Sequence, residues 1–197
     1  DPVSLTACRP ARELHLEGAR RLVEKNWMLF AHDDALWAVY SICPQVILQL
    51  TFPEAGPVLC RRVYQQDWDT TAYTAQFGEL RGGTPPVRVG NQYVSSFYSA
   101  YPVRGWRRLC LRFLRQPLSK ILRYVGGAYG FAAEPPFTPL WFSSTPLLLP
   151  PPLPRRHQPQ LDRRVERSAY PCGAILQDGL WFVAFGAQNE YCCLAML

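Results

Sequence analysis

The sequence has few charged residues and no long apolar run, and both features exclude classes of structure. Asp, Glu, Lys and Arg together make up only 18% of the 197 residues, against about a quarter in typical soluble domains. So few charges argue against a long solvent-exposed helix or a coiled coil. No stretch of about 18 apolar residues is free of both charge and proline, and the sequence therefore predicts no transmembrane span.

The cysteines lack the spacing of a metal site. Seven are present, which is an odd number, and the sequence contains neither a CxxC pair nor a ladder of His and Cys residues. A structural zinc site is therefore not expected, and we predict no metal and no cofactor. The cysteines fit either buried thiols or a few disulfides. An Asn-x-Ser/Thr sequon is also missing, and the cellular compartment stays open.

Proline and aromatic residues, in contrast, are abundant. The sequence holds 19 Pro, 10 Tyr, 10 Phe and 6 Trp, and proline at about twice its average usage shortens helices. Hydrophobic residues reach 48%, which is enough for a packed core. Short strands joined by many turns fit this composition better than a helical bundle does.

Arginine supplies most of the formal net charge of +6, and the basic residues are densest at 104–123. No nucleic-acid motif accompanies this stretch, so we predict no nucleic-acid partner. A solvated loop or a short helix explains the stretch most simply. Association with a membrane surface or with nucleic acid through these arginines is the weakest of three functional hypotheses.

Strand signals separated by polar turns repeat along the chain. Each repeat has a strand, a polar turn and an aromatic strand, and Asp178-Gly179 is a strong hairpin signal. His32 precedes the turn residues Asp33 and Asp34, and we expect it to be an exposed turn histidine. The predicted strands are 27–30, 36–41, 46–52, 86–89, 93–98, 174–176, 180–185 and 192–197.

Repeated antiparallel meanders of this kind build β-propellers, although a β-sandwich also accounts for strands and turns. We expect a single all-β domain over residues 1–197. Its blade units lie at about 20–52, 80–100 and 168–197, and residues from about 104 to 160 form an insertion with a short helix and a proline-rich loop.

Four segments stand in order along the chain: Glu24-Lys25-Asn26-Trp27 with residues 36–41 (LWAVYS), residues 80–85 (LRGGTP), residues 124–129 (YVGGAY) with 135–137 (PPF), and residues 170–174 (YPCGA). Together they resemble motifs of five-bladed β-propeller glycosidase-like proteins. The last segment is similar to the ending of β-mannoside phosphorylases of glycoside hydrolase family 130. The resemblance implies a five-bladed β-propeller of which about three blades are present and the N-terminal blades are missing.

The resemblance also implies a sugar-handling site. Members of the family cleave β-mannosides with phosphate or water, and relatives transfer mannose, so the implied partners are an oligosaccharide or sugar phosphate and inorganic phosphate. Basic side chains would bind phosphate, polar ones the sugar hydroxyls, and aromatic ones would line a sugar subsite. The implied substrate-binding residues are Lys25 and Arg81 (basic), Asn26 and Thr84 (polar), Trp27, Tyr124 and Tyr129 (aromatic), and Tyr98, which stands where the family has a histidine.

The sequence departs from the family pattern at the expected general acid. The family's Glu-Asp-Pro-Arg stretch is absent, so no catalytic residue is assigned and the activity of this chain stays open. The leading hypothesis is a carbohydrate-active protein that transfers a glycosyl group to phosphate, water or a sugar. The alternative is a non-catalytic carbohydrate- or protein-binding propeller fragment with a PxxPxR loop at 151–156. The open sheet edges of an incomplete ring predict self-association.

Overall fold

The computed structural model describes residues 11–19, 22, 25–102, 122–152, 165–188 and 190–197. These residues form thirteen β-strands and one short helix, which confirms the all-β class expected from the sequence. Within these ranges no helix is long and apolar enough to cross a membrane. The elements are β1 (Leu14–Leu16), β2 (Met28–His32), β3 (Ala35–Ile42), β4 (Gln45–Thr51), β5 (Val58–Gln66), α1 (Thr71–Phe77), β6 (Arg81–Gly82), β7 (Val87–Val89), β8 (Gln92–Pro102), β9 (Leu122–Ala132), β10 (Pro139–Phe142), β11 (Val165–Gln177), β12 (Leu180–Ala187) and β13 (Tyr191–Met196).

The first sheet has five strands in the order β1-β5-β4-β3-β2. Strands β2 to β5 form an antiparallel meander, and β1 adds to β5 in parallel. Asp33 and Asp34 in the β2–β3 turn have φ angles of 45° and 57°, and a two-residue type I′ hairpin turn requires positive φ at both positions. The strands expected at 27–30, 36–41 and 46–52 match β2, β3 and β4, and β5 extends the sheet beyond the expected unit.

The second sheet has eight strands. Its main order is β13-β12-β11-β9-β8-β6, with β7 also paired to β8 and β10 to β9. Residues 122–132 and 139–142 therefore belong to this sheet rather than to an insertion at 104–160. Their glycines and prolines resemble loop signals, but β9 is stabilised by antiparallel pairing with β8 along its whole length. A short helix was expected within residues 106–124. Residues 106–121 lie outside the described residues, and residues 122–124 belong to strand β9.

The C-terminal meander consists of β11, β12 and β13. It joins the rest of the second sheet through a short parallel pairing between β11 and β9. Asp178 and Gly179 have φ angles of 51° and 79° in the β11–β12 turn, so the predicted Asp-Gly hairpin is confirmed. On one face of the meander, Val183 and Phe185 pack with Leu148 in a small separate core.

Aromatic side chains form the main core between the two sheets. The ring of Phe30 packs edge-to-face against those of Phe131 and Phe137, with centroids 5.6 and 5.4 Å away, which is a favoured aromatic geometry. His32 is only 4% exposed, and its ring centroid lies 5.1 Å from that of Phe137. The expectation of an exposed turn histidine is therefore wrong. Side chains alternate along β2, and His32 falls on the same buried face as Met28 and Phe30.

Candidate functional site

An open pocket lies between the first sheet and the start of the second. Its volume is about 660 Å³, which falls within the range of typical ligand pockets. The chain before β2, the β3–β4 turn, helix α1 and strand β6 all contribute to its wall. The lining includes Lys25, Asn26, Thr74, Glu79, Arg81 and Gly82.

Helix α1 carries one wall of the pocket. Asp69 lies just before the helix, and its Oδ1 accepts a hydrogen bond of 2.9 Å from the backbone N–H of Thr71. Hydrogen bonds from Thr71 hold the pKa of the Asp69 carboxyl below its usual value. Tyr73 anchors the helix in the core, where its hydroxyl lies 3.0 Å from Ser99 Oγ and burial raises its pKa. The chain leaves the helix with Glu79 exposed at the pocket and Leu80 buried behind it.

Three charged side chains line this pocket: Lys25, Glu79 and Arg81. Lys25 and Glu79 are exposed, and Arg81 is half-buried. Within the described ranges, the ion pairs of the protein involve other residues and leave these three without a charged partner. Charged groups that line a pocket outside any ion pair are available to a ligand, and arginine is suited to bidentate contact with phosphate or carboxylate.

Asn26 lines the pocket and has a left-handed backbone conformation. Its φ angle is 62°, a left-handed value that asparagine tolerates better than most residues. Its carbonyl oxygen lies so close to Gly82 that a Cβ at that position would be only 2.3 Å away. Position 82 therefore requires glycine, because any side chain would displace the Asn26 backbone.

The amide of Asn26 connects two strands of the second sheet. Its Nδ2 donates a hydrogen bond of 2.8 Å to the hydroxyl of Tyr98, while the Tyr170 hydroxyl donates one of 3.0 Å to its Oδ1. The rings of Tyr98 and Tyr170 lie 4.3 Å apart. Burial, with a smaller effect from neighbouring tyrosines, raises the pKa of Tyr170, so its hydroxyl stays protonated as a donor. Asn26 was expected to bond sugar hydroxyls, and both ends of its amide already have protein partners.

Tyr124 and Trp27 lie at the margins of this arrangement. The Tyr124 ring is stacked on that of Tyr98 with centroids 6.0 Å apart, and its side chain is half-buried. The ring of Trp27 packs edge-to-face on Tyr40 at 5.5 Å and is also half-buried. Neither side chain lines the pocket. Of the eight expected substrate-binding residues, Lys25, Asn26 and Arg81 line it, while Tyr98 is bonded to Asn26 and Tyr124 stacks on Tyr98.

Thr84 and Tyr129, which were expected to contact sugar, lie in the interior. Both are 0% exposed. Thr84 Oγ1 accepts a 2.9 Å hydrogen bond from the backbone N–H of Ser96, which joins the chain after β6 to β8. Tyr129 packs in the core with Phe97 and Phe131, and burial raises its pKa. Both side chains are enclosed by the protein, and nearness to a motif in the sequence does not determine which side chains are exposed.

Glu79 and Tyr170 belong to the site although sequence reasoning did not single them out. Glu79 directly precedes the LRGGTP segment, and Tyr170 opens the YPCGA segment. Glu79 therefore lies next to one of the segments that carry the family resemblance, and Tyr170 lies within another. Among the described residues, no three His, Cys, Asp or Glu side chains are arranged to hold a metal ion. Most of the basic stretch at 104–123 and of the PxxPxR segment lies outside the described residues.

Comparison with known proteins gives a result only at the level of structure. No family model matches the sequence, and neither does any curated protein. A glycosyl hydrolase from Bacteroides ovatus matches with a TM-score of 0.55 and 11% identity, over 89% of this chain and 48% of its own. β-1,2-Mannobiose phosphorylase from Listeria innocua matches with a TM-score of 0.53 and 16% identity, over 90% of this chain and 45% of its own. The chain shares the fold of these enzymes.

A third structure extends the likeness to the family named by the sequence motifs. It represents the GH130 family of mannoside phosphorylases, which contains glycoside hydrolases that target β-1,2 mannosidic linkages in Candida mannan, and it matches with a TM-score of 0.54 and 12% identity, over 89% of this chain and 49% of its own. The resemblance to glycosidase-like proteins is thus confirmed as a likeness of fold. The chain spans about half the length of the solved structures that it matches.

Proposed function

We propose that this chain is a carbohydrate-active protein whose pocket beside Asn26 binds a β-mannoside. The observation that carries the proposal is the pocket itself, which Lys25, Glu79 and Arg81 line without ion-pair partners among the described residues. The shared fold with a mannoside phosphorylase and glycoside hydrolases supports the choice of substrate class.

In this proposal the sheets are blades of a five-bladed β-propeller. The meander β2–β5, strands β6–β10 and the C-terminal meander are three such blades. Support comes from the repeated antiparallel pairing and from the place of the pocket, which lies where the first two blades meet. Sites in propellers gather near the central channel, and Asn26, which directly precedes the first of these blades, is bonded to Tyr98 of the second and Tyr170 of the third.

The charges of the pocket assign roles for glycosyl transfer. Lys25 and Arg81 bind the phosphate or another anionic acceptor. Glu79, when protonated, donates its proton to the glycosidic oxygen as the bond from that oxygen to the anomeric carbon breaks. An oxygen of phosphate, water or an acceptor sugar forms the new bond to that carbon, and the proton that this nucleophile carries is released to solvent, from which Glu79 is reprotonated. Tyr98 and Tyr170 hold Asn26 in place through its amide, and the Tyr124 ring stacks on that of Tyr98.

A turnover assay with matched variants tests this proposal. The full chain is incubated with β-1,2-mannobiose, with and without inorganic phosphate, and released mannose and mannose 1-phosphate are quantified. Glu79→Gln is expected to reduce turnover by about 10² or more, as the loss of a general acid does. Glu54→Gln serves as the control, because Glu54 is exposed between β4 and β5 and does not line the pocket. Equal turnover by the two variants would exclude Glu79 as the acid.

One observation favours a second candidate function, which is sugar binding without catalysis. Tyr98 replaces the histidine that the family resemblance predicts, and its hydroxyl is bound to Asn26 rather than free for phosphate. The pocket then keeps its polar groups but has one anion contact fewer. Saturable binding of β-1,2-mannobiose with no turnover in the same assay would establish this alternative.

A further inference from the structure

His32 lies at the end of β2, outside the pocket, and one of its ring nitrogens has no hydrogen bond. Its side chain is only 2% exposed, and its Nε2 atom makes no hydrogen bond to any described residue. A buried polar atom without a hydrogen-bond partner costs free energy. Its surroundings therefore indicate which form of the imidazole the fold accommodates.

Two carboxylates face this nitrogen, one from each sheet. Asp33 in the β2–β3 turn places its Oδ2 atom 3.3 Å from Nε2, and Glu134, just after β9, places its Oε2 atom 3.8 Å away. Glu134 also accepts a hydrogen bond of 3.1 Å from the guanidinium of Arg88 on β7. Two carboxylates and one guanidinium leave one negative charge beside the ring, and a protonated imidazole neutralises it.

The other ring nitrogen of His32 also faces an acceptor. Its Nδ1 atom lies 3.5 Å from the hydroxyl of Tyr93, and this hydroxyl donates its only proton to the carbonyl oxygen of Ala31 at 2.7 Å. Burial raises the pKa of Tyr93, so the hydroxyl keeps that proton and its oxygen can only accept from Nδ1. A neutral imidazole has one N–H, whereas the imidazolium has one on each nitrogen. Only the imidazolium therefore matches the acceptors on both sides of the ring.

The loop that carries Glu134 is fixed on the first sheet. Gln45 of β4 donates a hydrogen bond of 2.8 Å to the carbonyl oxygen of Phe137, and Gln66 of β5 donates one of 2.8 Å to the carbonyl one residue earlier. The Phe137 ring also packs edge-to-face on that of His32. These contacts keep Glu134 and His32 close to one another whether or not the imidazole is charged.

We propose that His32 is a proton-dependent latch between the two sheets, closed when its imidazolium pairs with Asp33 and Glu134. The charge of histidine ordinarily changes between about pH 5 and 8. Protonation adds the donor that Nε2 lacks and a charge opposite to those of the carboxylates. The pairing therefore stabilises the fold at acidic pH, and this stabilisation is lost as the pH rises. This inference does not depend on the proposed function.

The exposure of the two carboxylates limits the size of the effect. The side chains of Asp33 and Glu134 are 82% and 67% exposed. Solvent therefore supplies protons to the cluster and also screens its charges. We expect a change of several-fold in the unfolding equilibrium constant, and not the collapse of the fold when the latch opens.

A double-mutant cycle at two pH values tests the latch. The full chain, Glu134→Gln, His32→Gln and the double variant are unfolded in urea at about pH 5.5 and about pH 8. At the lower pH, the interaction between positions 32 and 134 should favour the folded state by about five-fold or more, and at the higher pH it should disappear. Glu54→Gln is the matched control, because Glu54 is an exposed glutamate between β4 and β5, and it should show no such change with pH.

Nitrogen-15 NMR of the imidazole gives a second readout that does not require a variant at position 32 to fold. The His32 ring is assigned through its contact with the Phe137 ring. At about pH 5.5 both of its nitrogens should be protonated in the folded wild type, and a smaller fraction should be protonated in Glu134→Gln.

Three results would overturn the proposal. The first is a neutral His32 ring in the folded wild type at the lower pH. The second is an interaction between positions 32 and 134 that is equal at both pH values, because such an interaction would be packing rather than charge. The third is a Glu54→Gln variant whose stability changes with pH as that of Glu134→Gln does, which would place the effect in the net charge of the protein.

Discussion

Replacing Asn26 tests whether its amide joins the sheets around the pocket. Asn26→Ala removes the hydrogen bonds to Tyr98 and Tyr170, each worth about 1 kcal/mol, and leaves the hydroxyl of Tyr98, which is 2% exposed, without this partner. Alanine also tolerates the φ angle of 62° less well, at a cost of about 1 kcal/mol. We expect a loss of about 3 kcal/mol in the free energy of unfolding.

Urea denaturation followed by tryptophan fluorescence measures this loss. Asn26→Gly is the matched control, because glycine accepts the left-handed conformation while lacking the amide, so the difference between the two variants isolates the backbone contribution. Tyr170→Phe, which removes only one of the two hydrogen bonds, should cost about 1 kcal/mol. An Asn26→Ala variant that unfolds at the same urea concentration as the wild type would refute the bridging role.

Two further substitutions test the packing around the site. Gly82→Ala should cost more than about 2 kcal/mol in the free energy of unfolding, because the new Cβ would lie 2.3 Å from the Asn26 carbonyl oxygen. Gly173→Ala is the control: no atom lies within 4 Å of its new Cβ, so its urea midpoint should stay nearly unchanged. Thr84→Val should cost about 1–3 kcal/mol by leaving the Ser96 N–H unpaired without altering sugar affinity in calorimetry. Weaker sugar binding by a folded Thr84→Val protein would show that Thr84 contacts the ligand after all.

Local signals in the sequence accounted for much of the first sheet and the C-terminal meander. Short strands with polar turns at Asp33-Asp34 and Asp178-Gly179 are specified by neighbouring residues, and the structure contains both turns. Strand β9 was missed because its glycines favour a loop locally. It pairs with β8, and a long, partly basic segment separates the two strands in the sequence. The burial of His32 was missed because the adjacent acidic turn suggested exposure.

The candidate site shows the same division between local and long-range information. Motif resemblance pointed to Lys25 and Arg81, which do line the pocket. It could not reveal that Tyr170 reaches Asn26, since 144 residues separate them in the sequence. It also could not distinguish Thr84, which is fully buried, from the half-buried Gly83 and the exposed Pro85 on either side of it, because burial depends on how the strands pack.

Isothermal titration calorimetry with β-1,2-mannobiose tests the central claim most directly. The full chain is titrated with and without inorganic phosphate, beside Arg81→Gln and a control, Arg61→Gln, in which the altered arginine is exposed on β5 away from the pocket. The account predicts saturable binding by the wild type and Arg61→Gln, and its loss or marked weakening in Arg81→Gln. Absence of binding by the folded wild type, or equal binding by all three proteins, would contradict a sugar site in this pocket.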